Sequence, residues 1–231
     1  MKAGFSEIQY LYGATREIEC GEGFNRRFGT PYFPNQIREG KLGYDVKLSA
    51  PFYTLFLQYK IPEYFVKDTA KFWYEYGCPY YRIKLWKKNI SNQHNILIDL
   101  AQSDPRNHVY YCAPQFIKLS DFEKNYDDHT IIKNSVLIDV SHLKRIEDNV
   151  QHYITYINNR CTMHSFRNEG ILYHGISDCL KYDIDPYRSM DQFIGQMYER
   201  FGFLYRNENI FDVFHKLGIQ VIFVPVDEFR Q

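Results

Sequence analysis

Tyr44-Asp45-Val46-Lys47-Leu48 and Leu55-Phe56-Leu57-Gln58-Tyr59-Lys60 are two strand-forming runs separated by a break at Ser49-Ala50-Pro51. The first alternates and the second is rich in aromatic and apolar residues. So short a gap closes an antiparallel hairpin and cannot carry a parallel crossover. Centred between Pro51 and Phe52, the register sets Leu48 opposite Leu55, Lys47 opposite Phe56 and Asp45 opposite Gln58. Opposed residues have Cβ atoms about 4.5–5.5 Å apart. Side chains alternate between faces, so Gln58 and Lys60 project with Asp45, while Val46, Leu57 and Tyr59 point the other way. A carboxylate, an amide and an ammonium thus share one patch of sheet, which a one-residue slip would disperse.

The rest of the chain supplies helices and further strands. Ser6 and Gln9 have the spacing of a capping box, and Glu7 suits the positive end of a helix. Ile8, Leu11, Tyr12, Thr15 and Ile18 continue the helical period until Gly21 and Gly23 stop it. A long Gly-, Pro- and Arg-containing loop over 21–43 follows, a length often tied to function. Residues 61–77 are mixed, with Phe65, Phe72 and Trp73 as core candidates. Strands are predicted at 80–86, 108–113 and 135–140, with a helix at 92–102. Beyond Ser141 the pattern predicts helices at 143–160, 189–201 and 207–217, then a β-branched run at 219–226. The expected class is α/β, or α+β, with a mixed central sheet flanked by helices. A core over 1–140 and a mostly helical part over 141–231 packed on it make one domain.

Lys and Arg number 28 against 28 Asp and Glu, which removes any chain-wide positive field and leaves only local basic patches for nucleic acid. Apolar stretches such as 219–226 are too short to cross a bilayer. The N-terminus has no apolar secretory core, and the five cysteines form no C-x-x-C pair. Together these predict a cytoplasmic protein away from the membrane. The 21 tyrosines are spread along the whole chain. That distribution predicts packing with hydroxyls reaching surface water ahead of stacking on bases. No H-x-x-x-H, H-E-x-x-H, G-x-S-x-G, Walker A or G-x-G-x-x-G pattern occurs, which argues against zincins, hydrolase elbows, NTPases and Rossmann enzymes.

Asp45, then twelve intervening residues, then Gln58-Tyr59-Lys60 resembles the D…(E/Q)-x-K signature of the PD-(D/E)XK nuclease superfamily in its Q-x-K form. That restriction-endonuclease-like fold has an α-β-β-β-α-β core with a glutamate on its first helix. The resemblance covers about residues 5 to 115. It departs in one respect, because the strand expected between helix and hairpin falls in the Pro/Gly-rich loop and is not evident.

The resemblance implies a Mg²⁺ (or Mn²⁺) site formed by Asp45, the Tyr59 carbonyl, the Gln58 amide oxygen and a helix glutamate. Oxygen ligands suit such a hard cation, and Lys60 would orient water or offset charge at phosphorus. Glu7 and Glu17 stand ten residues, roughly 15 Å, apart along the helix, so only one can reach the metal. Glu7 is explained as a first-turn acid, whereas Glu17 sits unfavourably in the last turn. Glu39 is a third candidate. Arg26, Arg27, Arg38, Lys41, Lys84, Lys87 and Lys88 could gather into a phosphate-contacting patch or remain solvated charges. Gln93 and His94 open a helix after Asn92 and could face phosphate, although capping by Asn92 explains the position as well.

The expected activity is metal-dependent phosphodiester hydrolysis, of DNA ahead of RNA. No sensor, ATPase or DNA-reading domain is evident, so control would fall to a regulatory protein partner or oligomer, as suits a bacterial defence effector. The alternative is a non-catalytic protein-binding module or an inactive nuclease-like subunit. Asp45 would then cap a turn, Gln58 would be a half-buried polar group, and Lys60 would snorkel at an edge.

Overall fold

A computed structural model describes residues 1–20, 30–49, 54–164 and 168–174. They belong to one compact unit within Met1–Lys181. The first helix, α1 (Glu7–Cys20), opens on the predicted box: the Ser6 N–H donates to Gln9 Oε1 at 2.8 Å and the Gln9 N–H to Ser6 Oγ at 3.2 Å. Its buried stripe is rotated from the expected one. Tyr10, Ala14 and Ile18 face the core, while Ile8 and Tyr12 are 77% and 58% exposed. Gly13 explains the rotation, since a Cβ there would stand 2.6 Å from Ile131 Cδ1. The missing side chain lets Ile131 dock and fixes which face turns inward.

A short helix, α2 (Gln36–Leu42), lies in the segment expected to be loop. Asn35 caps it by accepting the Arg38 N–H, and Gly43 ends it at φ 81°. The hairpin follows as β1 (Val46–Ser49) and β2 (Thr54–Tyr59), with Val46, Lys47 and Leu48 paired to Leu57, Phe56 and Leu55. This is the register expected from the sequence. A single antiparallel bridge joins Tyr32 to Lys47 on the outer edge of β1.

Next come β3 (Glu63–Phe65), α3 (Trp73–Tyr76), β4 (Tyr80–Lys84), α4 (Gln93–Ser103) and β5 (Asn107–Pro114). After them α5 (Leu119–Asp127) precedes β6 (Ser135–Asp139), β7 (Tyr153–Ile157), β8 (Arg160–Met163), β9 (Asn168–Glu169) and β10 (Leu172–His174). The class is mixed α/β, but the strands form two sheets and not one central sheet. The first has the order β1-β2-β5-β6-β10, with β2 and β5 parallel. The second, β3-β4-β7-β8-β9, is antiparallel.

The helix expected at 143–160 does not form. Tyr153 to Ile157 is a β-branched and aromatic run with Ile154 and Tyr156 fully buried, and it pairs with β4. Asn158, at φ 48°, makes the two-residue turn into β8, the chemistry of a tight hairpin. Strands beyond position 140 therefore pair with strands before it: β7 with β4, and β10 with β6. The expected elements at 189–201, 207–217 and 219–226 lie outside the described residues. No helix among the described residues is long and apolar enough to cross a membrane.

Both faces of the first sheet are covered. Val46, Leu48, Leu55, Leu57, Tyr59 and Cys112 pack with Tyr10, Ala14 and Ile18 of α1 and Phe122 of α5. On the other face Phe56, Val109 and Tyr111 meet Leu97 and Ile98 of α4, together with Ile83, Ile154 and Tyr156 of the second sheet. Five tyrosines (10, 59, 80, 111 and 156) are among the largest fully buried side chains. Their hydroxyls meet partners inside the protein, not surface water. Tyr10 donates to Ser135 Oγ at 2.7 Å, Tyr59 pairs with Thr15 at 2.8 Å, and Tyr156 donates to the Pro114 carbonyl at 2.7 Å.

Candidate functional site

The hairpin register delivers Asp45 to Gln58. Just before β1, the Asp45 N–H donates to the Leu57 carbonyl at 2.9 Å, continuing the ladder by one residue. Asp45 Oδ2 accepts the Tyr59 N–H at 2.7 Å and Gln58 Nε2 at 2.8 Å. Gln58 Oε1 accepts from Gln93 Nε2 at 2.9 Å, and Gln93 Oε1 accepts from Lys60 Nζ at 3.2 Å. Asp45, Gln58, Gln93 and Lys60 therefore form one continuous chain of hydrogen bonds. With Asp45 ionised its polarity is set by its ends: an ammonium only donates and a carboxylate only accepts, so each amide between them then has one permitted orientation.

Position in the fold explains the convergence. Because β2 and β5 are parallel and α4 precedes β5, the first residue of α4 lies at the carboxyl end of β2. This is the end of an α/β sheet where ligand sites form. Gly43 brings the elements close. A Cβ at this left-handed residue would stand 3.2 Å from the Gln93 carbonyl oxygen, so the chain entering β1 passes directly against the start of α4.

Burial raises the Asp45 carboxyl to about 7. The Tyr59 N–H and the Lys60 charge oppose that shift, while the negative charges of Glu39 and Glu7 add to it. The carboxylate is thus partly withdrawn from water among like charges, a setting that a cation would relieve.

The predicted site residues separate into two groups. Asp45, Gln58, Lys60 and Gln93 are joined, the Tyr59 carbonyl lies 3.4 Å from Gln58 Nε2, and exposed Glu7 is near enough for its charge to act on Asp45. Glu17 is not brought to the cluster. It is 6% exposed, and its carboxylate accepts the N–H groups of Ile131 at 2.8 Å and Ile132 at 3.3 Å. Satisfying those buried donors accounts for an acid in the last helical turn.

His94 does not face phosphate. It is buried, with Nε2 2.9 Å from the Lys144 carbonyl and Nδ1 2.9 Å from the Tyr111 hydroxyl. A carbonyl can only accept, so Nε2 carries the proton and Tyr111 donates to bare Nδ1. Burial, chiefly, lowers its pKa to about 4. Asn92 does not cap α4 with its side chain; its Oδ1 accepts from Asn95, and Ser91 Oγ accepts the Gln93 N–H at 3.3 Å. Lys41 is exposed in the last turn of α2. The Lys87 carbonyl accepts the Ser91 N–H in a turn, and Lys88 pairs with Glu147 at 2.9 Å. Arg26 and Arg27 lie outside the described residues.

The relay role of Gln93 is not legible in the sequence, which marks it as a helix-opening residue that could face phosphate. Among the described residues no group of three or more His, Cys, Asp or Glu side chains could hold a metal. A cation here would depend on the Asp45 carboxylate, the Gln58 amide oxygen and the Tyr59 carbonyl, with water completing its shell. This all-oxygen set suits Mg²⁺ or Mn²⁺ over softer metals. No protein-family model, curated protein or solved structure matches this chain.

Proposed function

We propose that the chain is a metal-dependent nuclease of restriction-endonuclease-like fold, hydrolysing phosphodiester bonds in DNA ahead of RNA. The observation that carries this reading is the meeting of Asp45, Gln58 and Lys60 at the carboxyl end of β2. Supporting it, α1 and α4 flank opposite faces of a sheet whose β1, β2 and β5 follow the D and Q-x-K strands in the expected order. The Tyr32–Lys47 bridge lies on the β1 edge, where a strand preceding the hairpin would pair.

Asp45, Gln58 and the Tyr59 carbonyl would hold Mg²⁺ or Mn²⁺, with Glu7 the nearer helix acid. The bound cation would supply Lewis-acid polarisation of the scissile phosphodiester. Lys60 would offset negative charge developing on the phosphoryl oxygens. Glutamine in place of a second acid makes the site less negative and its cation affinity lower. Free Cys78, Cys112 and Cys161 accord with a cytoplasmic setting. Control by a regulatory protein partner or an oligomer, as in a bacterial defence effector, is proposed by analogy.

One observation favours an inactive nuclease-like subunit or protein-binding module: Gln58 and Lys60 are already paired within the protein. Incubation with plasmid, linear duplex, single-stranded DNA and RNA in Mg²⁺ or Mn²⁺ separates the two readings. The nuclease reading expects cleavage that Asp45→Ala and Lys60→Ala abolish. Absence of cleavage on all four substrates, with no metal effect on the thermal stability of the wild type, would overturn it in favour of the binding module.

A further inference from the structure

We infer that Gln58 and Gln93 form a two-amide switch, through which a cation at Asp45 reverses both amides and releases Lys60 into the site. The inference rests on reading Asp45 and Gln58 as cation ligands. As the chain stands, Gln58 turns its nitrogen to Asp45 and its oxygen to Gln93. To share a cation with Asp45, the amide must turn its oxygen to that side. Rotation about the terminal torsion exchanges O and N in nearly the same volume. It is the change open to a side chain that is only 1% exposed.

The reversal cannot stop at Gln58. Turned over, Gln58 presents Nε2 to Gln93 Nε2, two donors facing each other, so Gln93 must turn as well. Its nitrogen then faces Lys60 Nζ, again donor against donor, and the ammonium loses its acceptor. Lys60 is half-buried on the same face of the sheet as Asp45, so the freed group is available to the bound phosphodiester. Gln93 is thus a positioning residue that withholds Lys60 until the cation is in place. No backbone movement is required, because each step exchanges one amide orientation for the other.

The test combines NMR of glutamine side-chain amides with the reactivity of Lys60 toward an amine-acylating reagent, read by mass spectrometry during Mg²⁺ titration. In the wild type Mg²⁺ should shift the side-chain amide signals of both Gln58 and Gln93 and raise Lys60 acylation several-fold. Gln93→Met, close in size but unable to relay a hydrogen bond, should keep the Gln58 response and lose the gain at Lys60. Gln93→Glu should likewise lose the gain at Lys60, since its carboxylate accepts from Lys60 whichever way Gln58 turns. It remains informative if the methionine variant does not fold. A gain at Lys60 that persists in the folded variants would mean that the cation acts on the lysine directly. That result would overturn the switch and leave the cation site standing. No Mg²⁺ response around Asp45 in the wild type would overturn the cation reading, and the switch with it.

Discussion

Asp45 reaches across the hairpin to the backbone of Tyr59, its Oδ2 accepting that N–H at 2.7 Å while also accepting the Gln58 amide. One oxygen thus locks the strand end on which the rest of the site is built. It does so from a carboxyl that burial raises to about 7.

Asp45→Asn should therefore fold, because an amide oxygen can still accept from Tyr59. Asp45→Ala leaves the Tyr59 N–H and the Gln58 amide without their acceptor and should cost about 1–3 kcal/mol. The folded carboxyl holds its proton to about 7, against about 3.9 for an unfolded aspartate. Its contribution to stability is complete at acid pH, below the unfolded value, and is lost as pH rises through 7. Urea unfolding from pH 5 to 9 should show this loss in the wild type and not in Asp45→Asn. A parallel pH dependence in the two proteins would refute the assignment.

His94 should act with the opposite sign. Its folded pKa is lowered to about 4, against about 6.5 unfolded, so its contribution is complete above 6.5 and is lost as pH falls toward 4. Tyr111→Phe removes the donor to Nδ1 and should destabilise by about 1–3 kcal/mol. The imidazole ¹⁵N shifts of His94 should report a neutral ring protonated at Nε2 at pH 6; a charged ring there would contradict the assignment.

The two helix glutamates should separate by experiment. Glu17→Ala strips the acceptor from the Ile131 and Ile132 N–H groups and should cost about 1–3 kcal/mol. Glu17→Gln should restore much of that and leave Mg²⁺ affinity unchanged. Glu7 is exposed, so Glu7→Gln should change stability by no more than about 0.5 kcal/mol while weakening Mg²⁺ binding. Calorimetric titration checks both; a metal defect in Glu17→Gln with none in Glu7→Gln would reverse the assignment.

Gly43→Ala should disturb fold and site together. Its φ of 81° disfavours any Cβ, and that Cβ would press on the Gln93 carbonyl. The left-handed conformation alone costs an L-residue about 1–2 kcal/mol. Chemical denaturation should show that loss, and the Gln93 side-chain amide signal should shift. An unmoved signal would mean that Gly43 does not set the approach of α4 to Asp45.

Several features are legible from local pattern alone. The S-x-x-Q spacing predicts the reciprocal cap of α1, and the alternation across Ser49-Ala50-Pro51 predicts the register that sets Asp45 by Gln58. The strand at 153–157 escapes such a reading, although its β-branched residues and Asn-Asn turn are present, because a helical period can be drawn through the same residues. The roll of α1 escapes it too, because Ile8 and Tyr12 are apolar yet remain exposed.

What the sequence determined by itself was therefore the set of groups sharing the hairpin face, because a strand repeats every two residues and a short turn leaves little freedom of register. Tertiary structure decided that Glu17 would serve Ile131 and Ile132, that Glu7 would lie within electrostatic reach of Asp45, and that Gln93 would join Gln58 to Lys60. Those outcomes depend on a helix turning its glycine toward Ile131 and on α4 crossing back between parallel strands. Both are contacts between distant parts of the chain, and the side-chain periods that mark each element do not encode them.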